Sequence, residues 1–216
     1  MAKRVMLCVA CVGAIAACGT GQPDLSDADI ARVKDVKSSF APEFKVTEIG
    51  PTGVDPKLLK PQELPPGTKF EPADCVGTTQ LVPEGVKGNM AATTAEGEGN
   101  RFIAIAVETS EEVPINRPAD NCKKVGFAGG GVRGLVEVVD APQIDGAETL
   151  GIHRVIQTAV AGTLHTGEVY NYIASFGTFL VIVTANPLVL PNQPVAPVNT
   201  QRARDILSAA VAAVRG

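Results

Sequence analysis

Val169–Thr184 reads VYNYIASFGTFLVIVT, and this stretch decides the fold class. No charged residue occurs from Val169 to Gln201, so a membrane-spanning helix has to be considered. Gly177 interrupts the stretch, residues 179–184 are mostly β-branched, and the side chains of residues 170–175 alternate with period two. We therefore predict a buried β-hairpin that turns at Gly177.

Further strands are predicted on the N-terminal side of this hairpin. Phe102–Glu108 (FIAIAVE) is apolar at successive positions, as expected for a central strand that is covered on both faces. Gly134–Val139 (GLVEVV) and Leu150–Val160 are also strand-like, and Phe44–Ile49 alternates. Consecutive strands without intervening helices favour an antiparallel sheet.

Helices are predicted at the two ends of this strand region. Thr200–Arg215 carries a one-sided apolar stripe suited to packing on a sheet, made of Ala203, Ile206, Leu207, Ala210, Val211 and Val214. Asp27–Phe40 is predicted as the first helix, with Ser26 in a capping box and Pro42 after its end. We predict an α+β fold over residues 26–216, a single domain whose N- and C-terminal helices pack on one face of an antiparallel sheet.

The N-terminus has the pattern of an export signal. Lys3 and Arg4 precede an uncharged segment, Val5–Ala17, which is too short to span a bilayer. It ends in Ile15-Ala16-Ala17-Cys18, an aliphatic residue and two small residues before a cysteine. We predict a signal peptide over residues 1–17 and a lipidated Cys18 that begins a tether over residues 18–25. The alternatives are an ordinary secretory signal and an uncleaved core helix.

The five cysteines divide by position. Cys8 and Cys11 leave with the signal peptide and Cys18 takes the lipid, which leaves Cys75 and Cys122 in an oxidising compartment. We predict that these two form a disulfide; the alternative is two buried free thiols. Loss of residues 1–17 removes two of the 19 basic residues, so the net charge changes from −4 to −6. That charge gives no electrostatic basis for binding nucleic acid.

Known catalytic and cofactor patterns are not met by the sequence. Gly129–Gly134 (GGGVRG) matches G-x-G-x-x-G, but a strand-like segment follows it where a dinucleotide site needs a helix. Glu108, Glu111 and Glu112 beside Arg117 are the best candidates for acid–base chemistry, and a solvated loop is the alternative. We predict no catalytic residue and no cofactor.

The two histidines are the only candidates for a metal site. His153 and His165 lie on segments joined near Gly162, an arrangement that allows them to face each other across a hairpin, with Glu168 as the nearest carboxylate. The alternative is two polar side chains on a sheet surface. We predict no metal.

Together, Lys3–Cys18, the Pro72-Ala73-Asp74-Cys75 element, Cys122 and the terminal amphipathic helix resemble mycobacterial cell-envelope lipoproteins. The chain is similar to small lipoproteins assigned to a domain of unknown function. More loosely, it resembles the extracellular sensor-type domain of some such lipoproteins and of certain membrane Ser/Thr kinases. The resemblance implies an α+β domain with a groove and no catalytic residues.

From these observations we predict a non-enzymatic lipoprotein, anchored through Cys18 to the outer face of the cytoplasmic membrane or the cell envelope. It would bind a lipid or another envelope ligand in a groove between the sheet and its helices. The predicted ligand-binding side chains are the aromatics of the hairpin, Tyr170, Tyr172, Phe176 and Phe179. The alternative is that these side chains only form part of the core. An interaction module for an envelope or host protein and a carboxylate-dependent envelope hydrolase are the other functions considered.

Overall fold

A computed structural model describes residues 24–54, 64–76, 87–160, 162–191 and 193–216. The predicted signal peptide and Cys18 lie outside the described residues. Within them, nine antiparallel strands form one sheet, in the order β1-β3-β4-β9-β8-β7-β6-β5-β2. The strands are β1 (Lys45–Gly53), β2 (Lys69–Glu71), β3 (Gly88–Gly97), β4 (Asn100–Thr109), β5 (Lys124–Gly129), β6 (Val132–Val139), β7 (Glu148–Val160), β8 (Thr163–Phe176) and β9 (Phe179–Pro187).

The predicted hairpin is confirmed as β8 and β9, paired from Tyr170 opposite Ala185 to Phe176 opposite Phe179. Gly177 occupies the tight turn with φ +56°, a conformation that favours glycine. β4 pairs with β9 on one side and β3 on the other, as expected for a central strand.

One face of the sheet, called the helix face below, is partly covered by two helical segments. The C-terminal helix α1 (Thr200–Arg215) has the predicted bounds, and its apolar stripe is buried against β4, β8 and β9. Asn199 caps it by accepting a hydrogen bond from the Arg202 backbone N–H at 3.0 Å. The N-terminal segment, Ile30–Ser39, contacts α1, β3 and β4.

The expected fold class requires two corrections. The chain is mostly antiparallel sheet, and its N-terminal segment is a 3₁₀ helix rather than an α-helix beginning at Asp27. Its buried residues, Ile30, Val33 and Val36, recur every third position, so at three residues per turn they form one straight ridge. Its cap is Asp29, which accepts from the Ala31 N–H at 2.8 Å, and not Ser26.

The opposite face is covered by the connection that follows β4. Val113 and Ile115 are buried there in a second apolar cluster with residues such as Leu150, Ile173 and Leu180. Ser175 Oγ donates to the Val113 carbonyl at 2.7 Å, which fixes this connection to β8. The central strands are therefore covered on both faces, which explains why β4 carries apolar side chains at successive positions.

The predicted disulfide between Cys75 and Cys122 is confirmed. Both cysteines are buried, with Val125 and Phe70 beside them. The bond joins the segment after β2 to the short 3₁₀ turn Asp120–Cys122 that precedes β5. Among the described residues, no helix is long and apolar enough to cross a membrane.

Candidate functional site

Within the described residues, the helices make few contacts with β2, β5, β6 and β7 on the helix face, and strand register arranges the side chains there in rows. Each row crosses the strands at one level, because directly paired residues point to the same side of an antiparallel sheet. The Arg133 row contains Lys69, Ala128, Arg133, Gln157 and Thr166. The Leu135 row contains Glu71, Gly126, Leu135, Val155 and Glu168, and the His153 row contains Lys124, Glu137, His153 and Tyr170.

A cleft of about 620 Å³ lies over the first two rows. Its volume falls within the range of small-molecule sites, about 300–1,000 Å³. At these two levels of the helix face, Gly126 and Ala128 leave β5 nearly without side chains, so the longer side chains of β2 and β6 form walls on either side of it. The lining residues are Lys69, Phe70, Glu71, Gly126, Phe127, Ala128, Arg133, Gly134, Leu135, Val155 and Gln157.

The Arg133 row is a ladder of polar side chains across three strands. Arg133 Nε donates to Gln157 Oε1 at 2.8 Å, and Gln157 Nε2 donates to Thr166 Oγ1 at 3.2 Å. These bonds orient the guanidinium beside the cleft without neutralising its charge, because glutamine is uncharged. The remaining N–H groups of Arg133 are donors that a bound carboxylate or phosphate can use.

The His153 row borders the Leu135 row on its other side. His153 lies between two carboxylates, with Nδ1 2.9 Å from Glu137 Oε1 and Nε2 2.9 Å from Glu168 Oε1. Its ring stacks on Tyr170 with centroids 4.2 Å apart and 10° between the planes. An imidazole donates to both carboxylates when both of its nitrogens carry a proton. The contacts join β6, β7 and β8 and brace the edge of the cleft.

Two titratable groups of this row have shifted pKa values. The hydrogen bond from His153 lowers the pKa of Glu137, with burial opposing it and Lys124 Nζ, 3.4 Å from Glu137 Oε2, adding to it. Burial raises the pKa of Tyr170, and the neighbouring Glu168 carboxylate raises it further. Glu137 is therefore held as a carboxylate and Tyr170 as a neutral phenol.

The aromatic residues predicted to bind a ligand lie apart from this cleft. Tyr172, Phe176 and Phe179 belong to the core under α1, and each is at most 6% exposed. Phe176 and Phe179 stack on each other with centroids 5.7 Å apart. Tyr170 is half-buried and stands at the border between that core and the His153 row.

The candidate metal and acid–base residues do not converge as considered above. His165 pairs with Thr158, whereas His153 pairs with Tyr170, so the two histidines stand at different levels of the hairpin. Glu168 does reach His153, as its position in the sequence indicated. Arg117 donates to Glu148 Oε1 at 2.6 Å, so its ion pair is made with β7 and not with the acidic cluster after β4.

Gly129–Gly134 contains the turn between β5 and β6. Gly130 and Gly131 have φ values of +56° and +79°, and β6 begins at Val132. The loop therefore leads into a strand, as predicted, and its glycines serve the turn.

Sequence reasoning missed the residues that form the cleft. Its floor consists of Gly126 and Ala128, which leave no hydrophobic periodicity to detect, and one wall comes from β2, more than fifty residues earlier in the chain. The sequence signals that were available are Leu135 within the predicted strand Gly134–Val139, Arg133 just before it, and Gln157 within the next predicted strand.

Comparison with known proteins identifies a family. The family model described as "Domain of unknown function (DUF5642)" matches residues 29–215. The chain belongs to this family. No curated protein sequence matches it.

Two solved structures are similar to this DUF5642 chain. An uncharacterized protein from Mycobacterium smegmatis (Rv0999 ortholog) is 63% identical, with a TM-score of 0.84 over 89% of this chain and 100% of that one. The extracellular domain of PknH from Mycobacterium tuberculosis is 12% identical, with a TM-score of 0.34 over 90% of this chain and 100% of that one. The resemblance to mycobacterial proteins of unknown function is confirmed.

Proposed function

We propose that this protein is a non-catalytic ligand-binding domain of the cell envelope, held by lipid on Cys18 at the outer face of the membrane. The observation that carries the proposal is the cleft of about 620 Å³ over the Arg133 and Leu135 rows. An apolar floor with a few polar groups at its border is the usual composition of a small-molecule site.

The position of the N-terminal segment supports the anchoring part of the proposal. Leu25 lies next to the Gly177 turn, and the Asp29 N–H donates to the Val214 carbonyl at 2.8 Å, so the chain enters at the C-terminal end of α1. Asp24 is six residues from Cys18, and a chain of that length reaches about 20 Å at most. This end of the domain would then lie close to the bilayer.

The surroundings of His153 support a role without catalysis. Both ring nitrogens are engaged by carboxylates, so the imidazole has no free nitrogen with which to act on a substrate. Among the described residues, Asp74, Cys75 and Cys122 form the only group of three metal-ligating side chains, and its two cysteines are bonded to each other.

The ligand-binding part is tested by native mass spectrometry of protein isolated from a mycobacterial host. We expect a co-purifying small molecule in the native chain and its loss in Gly126→Leu, whose added side chain fills the cleft floor without a close backbone contact. Gly167→Leu is the matched control, because Gly167 also has open space around it but lies outside the cleft lining. An apo mass for the native protein, or a ligand retained by Gly126→Leu, would contradict the proposal.

The anchoring part is tested separately with the full chain carrying Cys18→Ser. We expect the native protein in the membrane fraction and in the detergent phase of a Triton X-114 partition, and the variant in the aqueous phase. Cys11→Ser is the control, since it changes a cysteine of the predicted signal peptide that takes no lipid. Equal partitioning of Cys18→Ser and native protein would exclude lipidation at this position.

A specific observation favours an interaction module as the second candidate function. Val189, Leu190 and Val195 are 76%, 42% and 55% exposed on the uncharged connection between β9 and α1. α1 is about 24 Å long, so this apolar connection lies at the opposite end of the helix from the N-terminal entry. A protein partner recognised there would be lost in Leu190→Asp, with the cleft ligand retained.

A further inference from the structure

The two basic residues of the cleft stand on opposite walls at one level. Lys69 on β2 and Arg133 on β6 both pair with Ala128 of β5, which lies between them. Adjacent strands are about 4.8 Å apart, so the two backbones are separated by about 10 Å. The Lys69 side chain is long enough to reach over Ala128, whereas Gln157 holds the Arg133 guanidinium on the β7 side of its strand, so the two charged groups border the cleft from opposite sides.

Neither of these basic residues forms an ion pair with any described acidic residue. Arg133 is held by the neutral Gln157, and Lys69 is exposed at the start of an edge strand. Glu71, the acidic residue of the same wall, stands one level away in the Leu135 row. The cleft therefore has a cationic level beside a level that is apolar at its middle positions, where Gly126, Leu135 and Val155 follow each other between Glu71 and Glu168.

We propose that the cleft binds an anionic amphiphile. Its carboxylate or phosphate lies between Lys69 and Arg133, and its apolar chain lies across Gly126, Leu135 and Val155. This inference rests on the proposed ligand-binding function and adds the chemical class of the ligand. Charge complementarity selects the anionic group, since an arginine presents paired N–H donors to carboxylates and phosphates. Each methylene of the chain that is buried in the cleft strengthens binding further.

The test uses calorimetric titration of the full chain carrying Cys18→Ser, the variant expected in the aqueous phase, with four probes below their micellar concentrations. Dodecanoate and dodecyl phosphate carry both a chain and an anion, dodecyl maltoside carries only the chain, and inorganic phosphate only the anion. We expect the two anionic amphiphiles to bind at least tenfold more tightly than either of the others. The ratio of dodecanoate to dodecyl phosphate affinity then identifies a fatty acid or a phosphorylated lipid as the closer source.

Amino-acid substitutions test the two basic residues separately from the apolar part of the cleft. Arg133→Gln and Lys69→Gln should each weaken dodecanoate binding about tenfold and leave dodecyl maltoside binding unchanged. Lys45→Gln is the matched control, because Lys45 is also exposed and also begins an edge strand, β1, which lies at the opposite edge of the sheet from β2. Gly126→Leu should abolish binding of the three probes that carry a dodecyl chain, with an unchanged circular dichroism spectrum showing that the variant is folded.

The results test the class of ligand separately from the existence of a ligand site. If dodecyl maltoside binds as tightly as dodecanoate, and Arg133→Gln has no effect, the anionic class is wrong while the cleft remains a ligand site. If the probes bind equally well to Gly126→Leu, or none of them binds to the native domain, the inferred ligand class is overturned. A co-purifying ligand in the mass spectrum would in the second case still support the broader function.

Discussion

At the residue scale, Gly134 on β6 and Gly126 on β5 differ in how much space surrounds them. A Cβ on Gly134 would overlap the Val155 carbonyl oxygen and the Phe127 ring, whereas a Cβ on Gly126 would meet its nearest atom, the Glu71 carbonyl oxygen, at 3.9 Å. The first glycine is required by close packing of neighbouring groups. The second leaves room that becomes part of the cleft.

We predict that Gly134→Ala lowers the free energy of unfolding by about 1–3 kcal/mol, because the strand and the Phe127 ring must shift to admit a methyl group. Gly126→Ala should stay within about 0.5 kcal/mol of the native protein. Urea unfolding of both variants measures the difference. Equal losses in the two variants would show that the β5–β6 packing tolerates a side chain at Gly134.

The Glu137–His153 contact predicts a pH-dependent contribution to stability. Because the pKa of Glu137 in the folded chain lies below its ordinary value of 4.5, the contact stabilises the fold above that value. The contribution is lost as the pH falls through 4.5 towards the lowered pKa. Glu137→Gln should therefore cost about 1 kcal/mol at pH 7 and progressively less below about pH 4.5.

Urea unfolding at several pH values between 7 and 3.5 provides the measurement for Glu137→Gln. Glu108→Gln is the control, since Glu108 is exposed on β4 and forms none of the ion pairs described here. A difference between native protein and Glu137→Gln that stays constant over this range would show that the Glu137 charge is not responsible.

At the element scale, α1 is held by one buried stripe that covers β4, β8 and β9 on the helix face. Leu207 has no exposed surface and packs in the cluster that also contains Tyr172 and the ridge of the 3₁₀ helix. Removing its side chain would leave a cavity between three elements that cannot all move to fill it. The helix is thereby tied to both the hairpin and the N-terminal segment.

We predict that Leu207→Ala lowers the free energy of unfolding by about 2–5 kcal/mol. Asp205→Ala also introduces alanine, but at an exposed position of α1, and should change the free energy of unfolding by about 0.5 kcal/mol or less. Thermal and urea unfolding of the two variants are compared directly. A small effect at Leu207 would mean that the helix face is loosely packed there.

Elements with strong periodicity could be predicted from the sequence, and elements built from small residues could not. The apolar stripe of α1 and the alternation around Gly177 each have a single interpretation. β3 reads GNMAATTAEG, and alanine has a low strand preference. Its Ala91 and Ala95 are buried in the cluster that contains the 3₁₀ helix, which contacts this strand, so tertiary packing determines this strand.

At the scale of the whole molecule, the cleft region depends on a link between distant parts of the chain. β2 is only three residues long and, within the described parts of the chain, pairs with β5 alone, yet it supplies one wall of the cleft. The disulfide fastens the segment after β2 to the turn before β5, 47 positions apart in the chain. Pairing of the cysteines could be predicted by counting them, but their place beside a cleft requires the sheet order.

We predict that the double variant Cys75→Ala, Cys122→Ala lowers the free energy of unfolding by about 4 kcal/mol, from the chain entropy of a loop of this length. Denaturant unfolding measures the loss. Native protein reduced with dithiothreitol serves as a second measurement that changes no side chain. A loss below about 1 kcal/mol would mean that the unfolded chain gains little freedom when the bond is removed.

The two ends of the described chain meet at one end of the molecule. Gly216 lies against Arg32, and its nearest neighbours include the backbone of Asp27. A short linker from Gly216 to Asp24 would therefore allow circular permutation, with new termini opened at Gln193 in the exposed connection. Such a chain keeps every strand, and a lipidated leader fused to it would present the opposite pole of the domain to the bilayer. Binding of the proposed ligand, measured in both orientations, would show whether it is taken from the membrane or from the space beyond it.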